Sequence, residues 1–498
     1  MRRAEGTSND GGRISRGDVM TSGPAQKRVV GGCVRRLRAS LFCLAALGAQ
    51  DAGADTLKSA LASAYANNPD LEEQRVIARI RDEDVSKAAA GHRPRANVSL
   101  SAGPQKSSVR QPGGRDQLRN RLYTDDNNFG YPRSGTLNLS LTVFDGWRSD
   151  NSMRQAEAGV LAARATLLAA EQEVLLRGVT VYMDVLRDTA VLGLRRHNRA
   201  VLAEQLRVAH DRAEMGMATP ADVAQAEAAL AQAASDHAAT REALRASVAE
   251  YSEVIGRAPN RLEPAQGCER ELPGSVEGAV QRAVLAHPQV VASLHSVDMA
   301  TMAVKVAEGA LMPSFSVGGQ VYQQYDSYLG YPGTRQFSAQ VTGTLNVPLY
   351  DGGAEYSAVR QAKQQLGQAH AHVAAQRSAI RAKLAMSFSR LAAAKAAMRY
   401  GGTLVRSTET ALAQIRNEAE LGQRTLLDVL NAQQALFDAR VKMVSAQHDR
   451  VVAACSALAA IGGLSADGLS LDVERYDPAK NLERVRDLWV GMDTPDGR

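Results

Sequence analysis

Two aspartates stand where ionic chemistry could be built. Asp222 follows Gly216 by six residues, and Asp428 follows Gly422 by the same interval. A single acid near a helical turn is ordinarily a solvated surface group. An acid at corresponding positions of two related segments shifts the odds towards a placed group. Should such carboxylates converge, their mutual repulsion would raise the carboxyl pKa and their field would attract cations.

Other chemistry is poorly supplied. None of the nine histidines lies in a zincin motif, and His370 with His372 is an i, i+2 pair that diverges around a helix, so surface histidines are the expected reading. No Gly-rich phosphate loop or nucleophile elbow occurs. The expectation is a protein that is not an enzyme, with no catalytic residue, no metal and no cofactor. Cys33 and Cys43 fall in the first 54 residues. Cys268 and Cys455 have no ligand-like spacing and are expected to be unpaired.

The net charge of +6 is concentrated at the front: residues 1–54 hold nine Lys/Arg against four Asp/Glu, which leaves 50 against 49 for the rest. A basic nucleic-acid surface on the remainder is disfavoured. The front segment reads as a secretory signal, with Arg35, Arg36 and Arg38, the apolar stretch Leu41 to Ala49, and the cleavage pattern Ala52-Gly53-Ala54. Maturation would start at Asp55, and Met20 is an alternative start. No stretch after residue 54 approaches the roughly 20 consecutive apolar residues of a membrane helix. β-strands, which need about ten alternating residues each, remain open as a route into a membrane.

The elements that would position the two aspartates come from a duplication. Asn68-Pro69 is echoed by His287-Pro288, and Pro94 by Pro313, each 219 residues later. Further on, Val143-Phe144-Asp145-Gly146 matches Leu349-Tyr350-Asp351-Gly352 at an offset of 206, as do Gly216 with Gly422 and Asp222 with Asp428. The length change lies between residues 104 and 134, whose Gly, Pro, Arg and Asn content suits a solvated loop. The expected organisation is a signal region at 1–54, helix-strand-strand-helix repeats at 55–267 and 268–463, and a C-terminal tail at 464–498.

Leu137, Leu139, Leu141 and Val143 alternate with Asn138, Ser140 and Thr142. Val341, Leu345 and Val347 repeat the pattern, and Phe315 to Val321 and Val98 to Ala102 supply two more strands. An ordinary half-buried sheet gives the same alternation. Aromatics near the loops (Phe129, Tyr131, Tyr322, Tyr325, Tyr328, Tyr331) and at the other strand ends (Phe144, Trp147, Tyr350) suit the girdles of a membrane barrel. Four strands cannot close around a lumen, so a barrel would require several copies, twelve strands for three. No proline separates Gly146 from Pro220 or Pro348 from Pro478. A helix from 147 to about 214 would run about 100 Å, with Asp145 and Asp351 as N-caps.

With these motifs placed, residues 56–464 resemble the TolC-type outer-membrane efflux factors. The likeness rests on Asn68-Pro69, His287-Pro288, Val347-Pro348-Leu349-Tyr350-Asp351-Gly352-Gly353, and Gly422-Gln423-Arg424-Thr425-Leu426-Leu427-Asp428-Val429-Leu430. It implies an α+β membrane protein: a homotrimer with a twelve-stranded outer-membrane β-barrel, four strands per protomer, continued by an α-helical periplasmic tunnel. It also implies that Asp222 and Arg424 hold a periplasmic gate closed. The family's stacked acidic rings at the entrance map to Asp428 and Asn431, and only Asp428 is acidic.

Tyr182 to Asp188 and Gly216 to Ala226 look most like the type I secretion branch. That implies partnership with a periplasmic membrane-fusion adaptor and an inner-membrane ABC transporter, exporting a protein. The alternatives are small-molecule efflux with a proton-driven pump and, in a different class, a non-membrane periplasmic coiled-coil adaptor.

Overall fold

A computed structural model describes residues 55–115, 117–119, 121–273, 276–326 and 333–494. The expected signal region, Tyr328 and Tyr331 lie outside the described residues.

The chain opens with helices α1 (Leu57–Asn67) and α2 (Pro69–Ala89), continues into strands β1 (Arg95–Ala102), β2 (Gln105–Arg115), β3 (Arg121–Gly130) and β4 (Arg133–Phe144), and then into helices α3 (Arg148–Glu214) and α4 (Pro220–Ile255). The same kinds of element follow as α5 (Val276–Ala286), α6 (Pro288–Gly309), β5 (Ser314–Tyr325), β6 (Arg335–Asn346), α7 (Ala354–Glu420) and α8 (Leu426–Ile461), with a short α9 (Ala479–Val485) near the end. Helices α3 and α7 each have 67 residues, and α4 and α8 each have 36. Residues 277–309 reach the average apolarity of a membrane span, contrary to the expectation, but His287-Pro288 divides them into α5 and α6. Helix α6 packs along α3 and α7.

The Asn-Pro and His-Pro motifs start helices. Asn68 Oδ1 accepts from the Asp70 and Leu71 amides at 3.0 and 3.2 Å, and His287 Nδ1 accepts from the Gln289 amide at 3.2 Å. Each is followed by proline at the first helical turn, where its missing N–H costs nothing.

Asp145 is not the cap residue, but from two positions before it, its Oδ2 accepts from the Ser149 amide at 2.9 Å and from the Ser149 hydroxyl at 2.6 Å. Trp147 holds the cap position itself at φ 65. Asp351 does not cap through its side chain; its carbonyl accepts from Ala354 at 3.1 Å, and Gly353 is the cap at φ 86. At Gly146 a Cβ would stand 2.4 Å from the Gly309 carbonyl oxygen, so this junction requires glycine to lie against the end of α6.

Strands β1, β4, β5 and β6 form one antiparallel sheet in the order β1-β4-β5-β6. Over most of its length the register sorts apolar from polar side chains, with Gln323, Arg133 and Arg335 on the apolar face at the loop end. Across one face run Val98, Leu137, Val321 and Ala339 in one row, and Ala96, Leu139, Gly319 and Val341 in the next. Across the other run Asn97, Asn138, Gln320 and Gln340, with Gln320 donating to Asn138 at 3.1 Å and Gln340 donating to Gln320 at 2.9 Å. Tyr322 belongs to this polar face, in row with Ser99, Thr136 and Ser338, and so does not join an apolar-side girdle.

The segment expected to be a solvated loop is instead a hairpin, β2 paired antiparallel with β3, with a register irregularity between Pro112 and Arg115. Its alternation is invisible in sequence because neither face is buried in the chain, so polar residues occupy both.

The buried core lies where α1, α3 and α4 meet residues 464–471. Leu61, Leu175, Tyr182, Tyr251, Ile255 and Leu464 are fully buried there. The Tyr182 hydroxyl lies 2.8 and 2.7 Å from the carbonyls of Asp55 and Glu263, able to donate to either. The expected tail is therefore structural: Glu171, buried in α3, accepts from the Ala466 amide at 2.7 Å.

Cys268 and Cys455 are joined by a disulfide, which overturns the expectation that they are unpaired. They are 187 residues apart in sequence, so spacing carried no information; the fold brings a 3-10 turn at Cys268–Glu271 against α8. Beside it Glu269 reaches Lys395 of α7 at 3.5 Å and Arg450 of α8 at 3.2 Å. Two histidines also depart from the surface expectation: His287 is 2% exposed and His448 is 9% exposed.

Two tests follow from these contacts. Residues 55–498, unfolded without reductant, should bind no thiol reagent, whereas two labels per chain would contradict the disulfide. Burial, with Lys383 nearby, pushes the His287 pKa down to about 4. The folded state thus holds fewer protons than the unfolded state between about pH 6.5 and 4, and stability falls as the pH falls through that window. His287→Asn, which copies Asn68, should remove this part of the acid sensitivity, on the order of 1–3 kcal/mol by pH 4. Unchanged pH dependence of unfolding would contradict the assignment.

Candidate functional site at the helical turns

The ends of α3 and α7 are built alike. Each stops at a glycine in the left-handed region, Gly216 at φ 71 and Gly422 at φ 75. Each then restarts through a capping box. Thr219 Oγ1 accepts from the Asp222 amide at 3.2 Å while Asp222 Oδ2 accepts from the Thr219 amide at 2.8 Å. In the second turn Thr425 Oγ1 accepts from the Asp428 amide at 3.2 Å and Asp428 Oδ2 accepts from the Thr425 amide at 3.0 Å.

Asp222 and Asp428 are therefore the reciprocal partners in two helix starts, and their interval from the glycine is the length of the turn plus three residues. Hydrogen bonds from Thr219 and Thr425 to the carboxylates hold both pKa values below the usual carboxylate range, with Arg424 adding to the effect on Asp428. Both residues are half-buried in the single chain.

The two helical hairpins pack together near these turns. Leu202 of α3, Ala233 of α4 and Leu430 of α8 share a buried cluster. The Arg195 guanidinium lies 4.4 Å from the centre of the Phe437 ring and pairs with Asp236 at 2.6 Å, tying α3 to both α8 and α4. Between the hairpins lies a groove of about 830 Å³. Asp222 and Arg424 both line it, with Glu204, Arg212, Arg416 and Glu420. The expected gate residues thus face one cleft, but Arg424 Nε pairs at 2.8 Å with Glu418, a residue that sequence reasoning missed. Asp428 lies apart from Asp222, in a second groove of about 340 Å³ shared with Arg424 and Asn431.

The stretch Tyr182 to Asp188 also has a structural role. Asp184 reaches His448 of α8 at 3.1 Å, and Arg187 bridges Asp184 at 2.6 Å and Asp188 at 2.8 Å. Burial would raise the Asp184 pKa, but the His448 hydrogen bond and the Arg187 charge outweigh it and lower the value. Among the described residues no group of three or more His, Cys, Asp or Glu could hold a metal ion.

A four-stranded antiparallel sheet with little cover on either face is thus joined to two 67-residue helices, each packed along a partner of 36 residues. A profile of the outer membrane efflux protein family matches residues 60–257 and 279–463. The outer membrane efflux protein BepC of Brucella suis is 35% identical over 454 residues, which cover 91% of this chain and 95% of that protein. The alkaline protease secretion protein AprF of Pseudomonas aeruginosa is 23% identical over 399 residues, 79% of this chain and 82% of that protein. The Campylobacter jejuni CmeC outer membrane channel superposes with a TM-score of 0.71 at 16% identity, over 86% of this chain and 89% of that one. The chain belongs to the outer membrane efflux protein family, the TolC-type channels of the Gram-negative outer membrane.

The capping boxes predict that Thr425→Ala loosens the start of α8 by about 1 kcal/mol, seen as about fivefold faster amide exchange at Leu427 to Val429. Because both acids titrate below their ordinary range, exchange at the two turns, corrected for intrinsic rates, should not change between pH 5 and 8. Faster corrected exchange at pH 5 than at pH 8 would show the carboxylates protonating within that range and contradict the low pKa values.

Proposed function

We propose that three copies of this chain form one outer-membrane exit duct, each contributing β1, β4, β5 and β6 to a twelve-stranded barrel and its helices to a periplasmic tunnel. One observation carries the reading: the apolar face of the sheet has no cover. Leu100 and Val341 are each 81% exposed, and the opposite face is uncharged amide and hydroxyl apart from Arg95 at its helical end. From Phe315 to Tyr325 the strand runs about 33 Å, or about 25 Å once tilted by about 40°, the height of a lipid-facing band. Strands β1 and β6 have no partner on their outer sides among the described residues, and in lipid only another chain can supply one.

In this assembly the turns form the periplasmic entrance. Asp222 and Arg424 contribute to its closure, and Asp428 forms a single charged ring beside the neutral Asn431. The duct performs no catalytic step, so energy comes from an inner-membrane ABC transporter reached through a periplasmic adaptor. We favour type I protein secretion, supported by the likeness of residues 182–188 and 216–226 to that branch and by the relation to AprF. The stronger relation to BepC supports the second reading, small-molecule efflux.

Conductance in planar bilayers tests the duct. Arg424→Ser should raise it, and trivalent cations on the periplasmic side should block Asp428→Ala about tenfold less tightly than the parent. Thr425→Ala, which loses the capping box but keeps the charge, should block like the parent. Equal block by all three would remove Asp428 from the entrance. Deleting the gene in its source bacterium should remove a polypeptide from the medium; an unchanged medium with raised drug susceptibility would favour efflux.

A further inference from the structure

At the loop end of the sheet, the apolar face finishes in a row that differs from every row before it. Ala102, Arg133, Tyr325 and Arg335 are neighbours across β1, β4, β5 and β6. The two guanidinium carbons lie 6.0 and 5.6 Å from the centre of the Tyr325 ring, one from each side. This places two cations on the same face as Val98, Leu137 and Val321, at the end remote from the helices. Beside them is a groove of about 600 Å³ lined by Leu100, Ala102, Arg133, Gly135, Gln323 and Tyr325. Arg133 is the cation of its lining, which also includes Ser101 and Ser134, and Arg335 stands outside it in the same row as Arg133 and Tyr325. Phe129 and Tyr131, in edge contact at 5.4 Å, belong to the same end.

We propose that this groove binds a phosphorylated glycolipid of the outer leaflet, the lipid A portion of lipopolysaccharide. The inference rests on the barrel reading above, which turns this face towards lipid and this end outwards. Two arginines at the headgroup level suit a phosphate, because guanidinium donors match its oxygens in pairs. The aromatic ring between them fixes both stems, and the apolar groove below, leading to Leu100, takes an acyl chain. Asp326 accepts from Arg133 at 3.0 Å and offsets part of that charge, so the row keeps a net positive charge through Arg335. A phospholipid headgroup of zero net charge would meet the same donors with less attraction, and free phosphate would lack the apolar anchor.

The purified oligomer in dodecyl maltoside, titrated with bisphosphorylated lipid A, its dephosphorylated form and inorganic phosphate, decides the matter by native mass spectrometry. The parent should retain bisphosphorylated lipid A, and Arg133→Gln with Arg335→Gln should lower that affinity about tenfold or more. Arg133→Lys with Arg335→Lys, which keeps the charge and loses the paired donors, should fall between the parent and the glutamine variant. The dephosphorylated lipid should not distinguish the parent from the glutamine variant, and millimolar phosphate should displace little.

Equal retention by the parent and the glutamine variant would overturn the proposal. Complete displacement by phosphate would make this a free-anion site and overturn the lipid assignment. Should the double variant not assemble, Arg335→Gln alone gives the same comparison. An oligomer that conducts in bilayers but retains lipid A regardless of these arginines would refute this site alone. A protein that forms no membrane channel would refute the barrel reading itself.

Discussion

Everything in this molecule answers to the open edges of a four-stranded sheet. A β-strand edge carries a row of unpaired amides and carbonyls, and hydrocarbon offers them nothing. A soluble protein can blunt such an edge with charge or water. In the proposed assembly the face bearing Val98, Leu137, Leu139 and Val341 meets lipid, and β1 of one copy then pairs with β6 of the next. The polar face follows from the same closure: a row of Asn97, Asn138, Gln320 and Gln340 facing inward would be wetted by the lumen, and its amides already bond across three strands. The helices inherit the geometry, since α3 begins four residues after β4 and α7 eight residues after β6.

Long helices of low aromatic content need other means of holding together. Small side chains provide one, as in the buried run Ala453 to Ala460 of α8, which lets neighbouring backbones come close. Polar ties provide another. Asp184 with His448 joins α3 to α8, Arg195 with Asp236 joins α3 to α4, and Arg416 with Gln433 joins α7 to α8. The disulfide between Cys268 and Cys455 fastens the segment between the two hairpins onto α8. At the turns the capping boxes set helix direction beside the two grooves.

Sequence patterns carried much of this architecture because the pattern is itself the physics. Period-two alternation located β4 and β6, the absence of proline located α3 and α7, and glycine marked both turns. The β2–β3 hairpin was illegible because water bathes both of its faces, which leaves no alternation to read. The disulfide was illegible because its partners are joined only by the fold. Asp222 and Asp428 were visible as positions, but their local role was missed: the reciprocal bonds with Thr219 and Thr425 follow from a threonine three residues earlier, a signal present in the sequence. Glu418, the partner of Arg424, had no such signal, since the turn between them decides whether the side chains meet.

The central claim is that the sheet edges are satisfied between chains, and stoichiometry tests it without reference to substrate or gating. Light scattering of the purified protein in detergent, with the detergent mass subtracted, should give three chain masses in a single species that is lost when detergent is withdrawn. A stable single chain that keeps its full strand content in detergent-free buffer would contradict it.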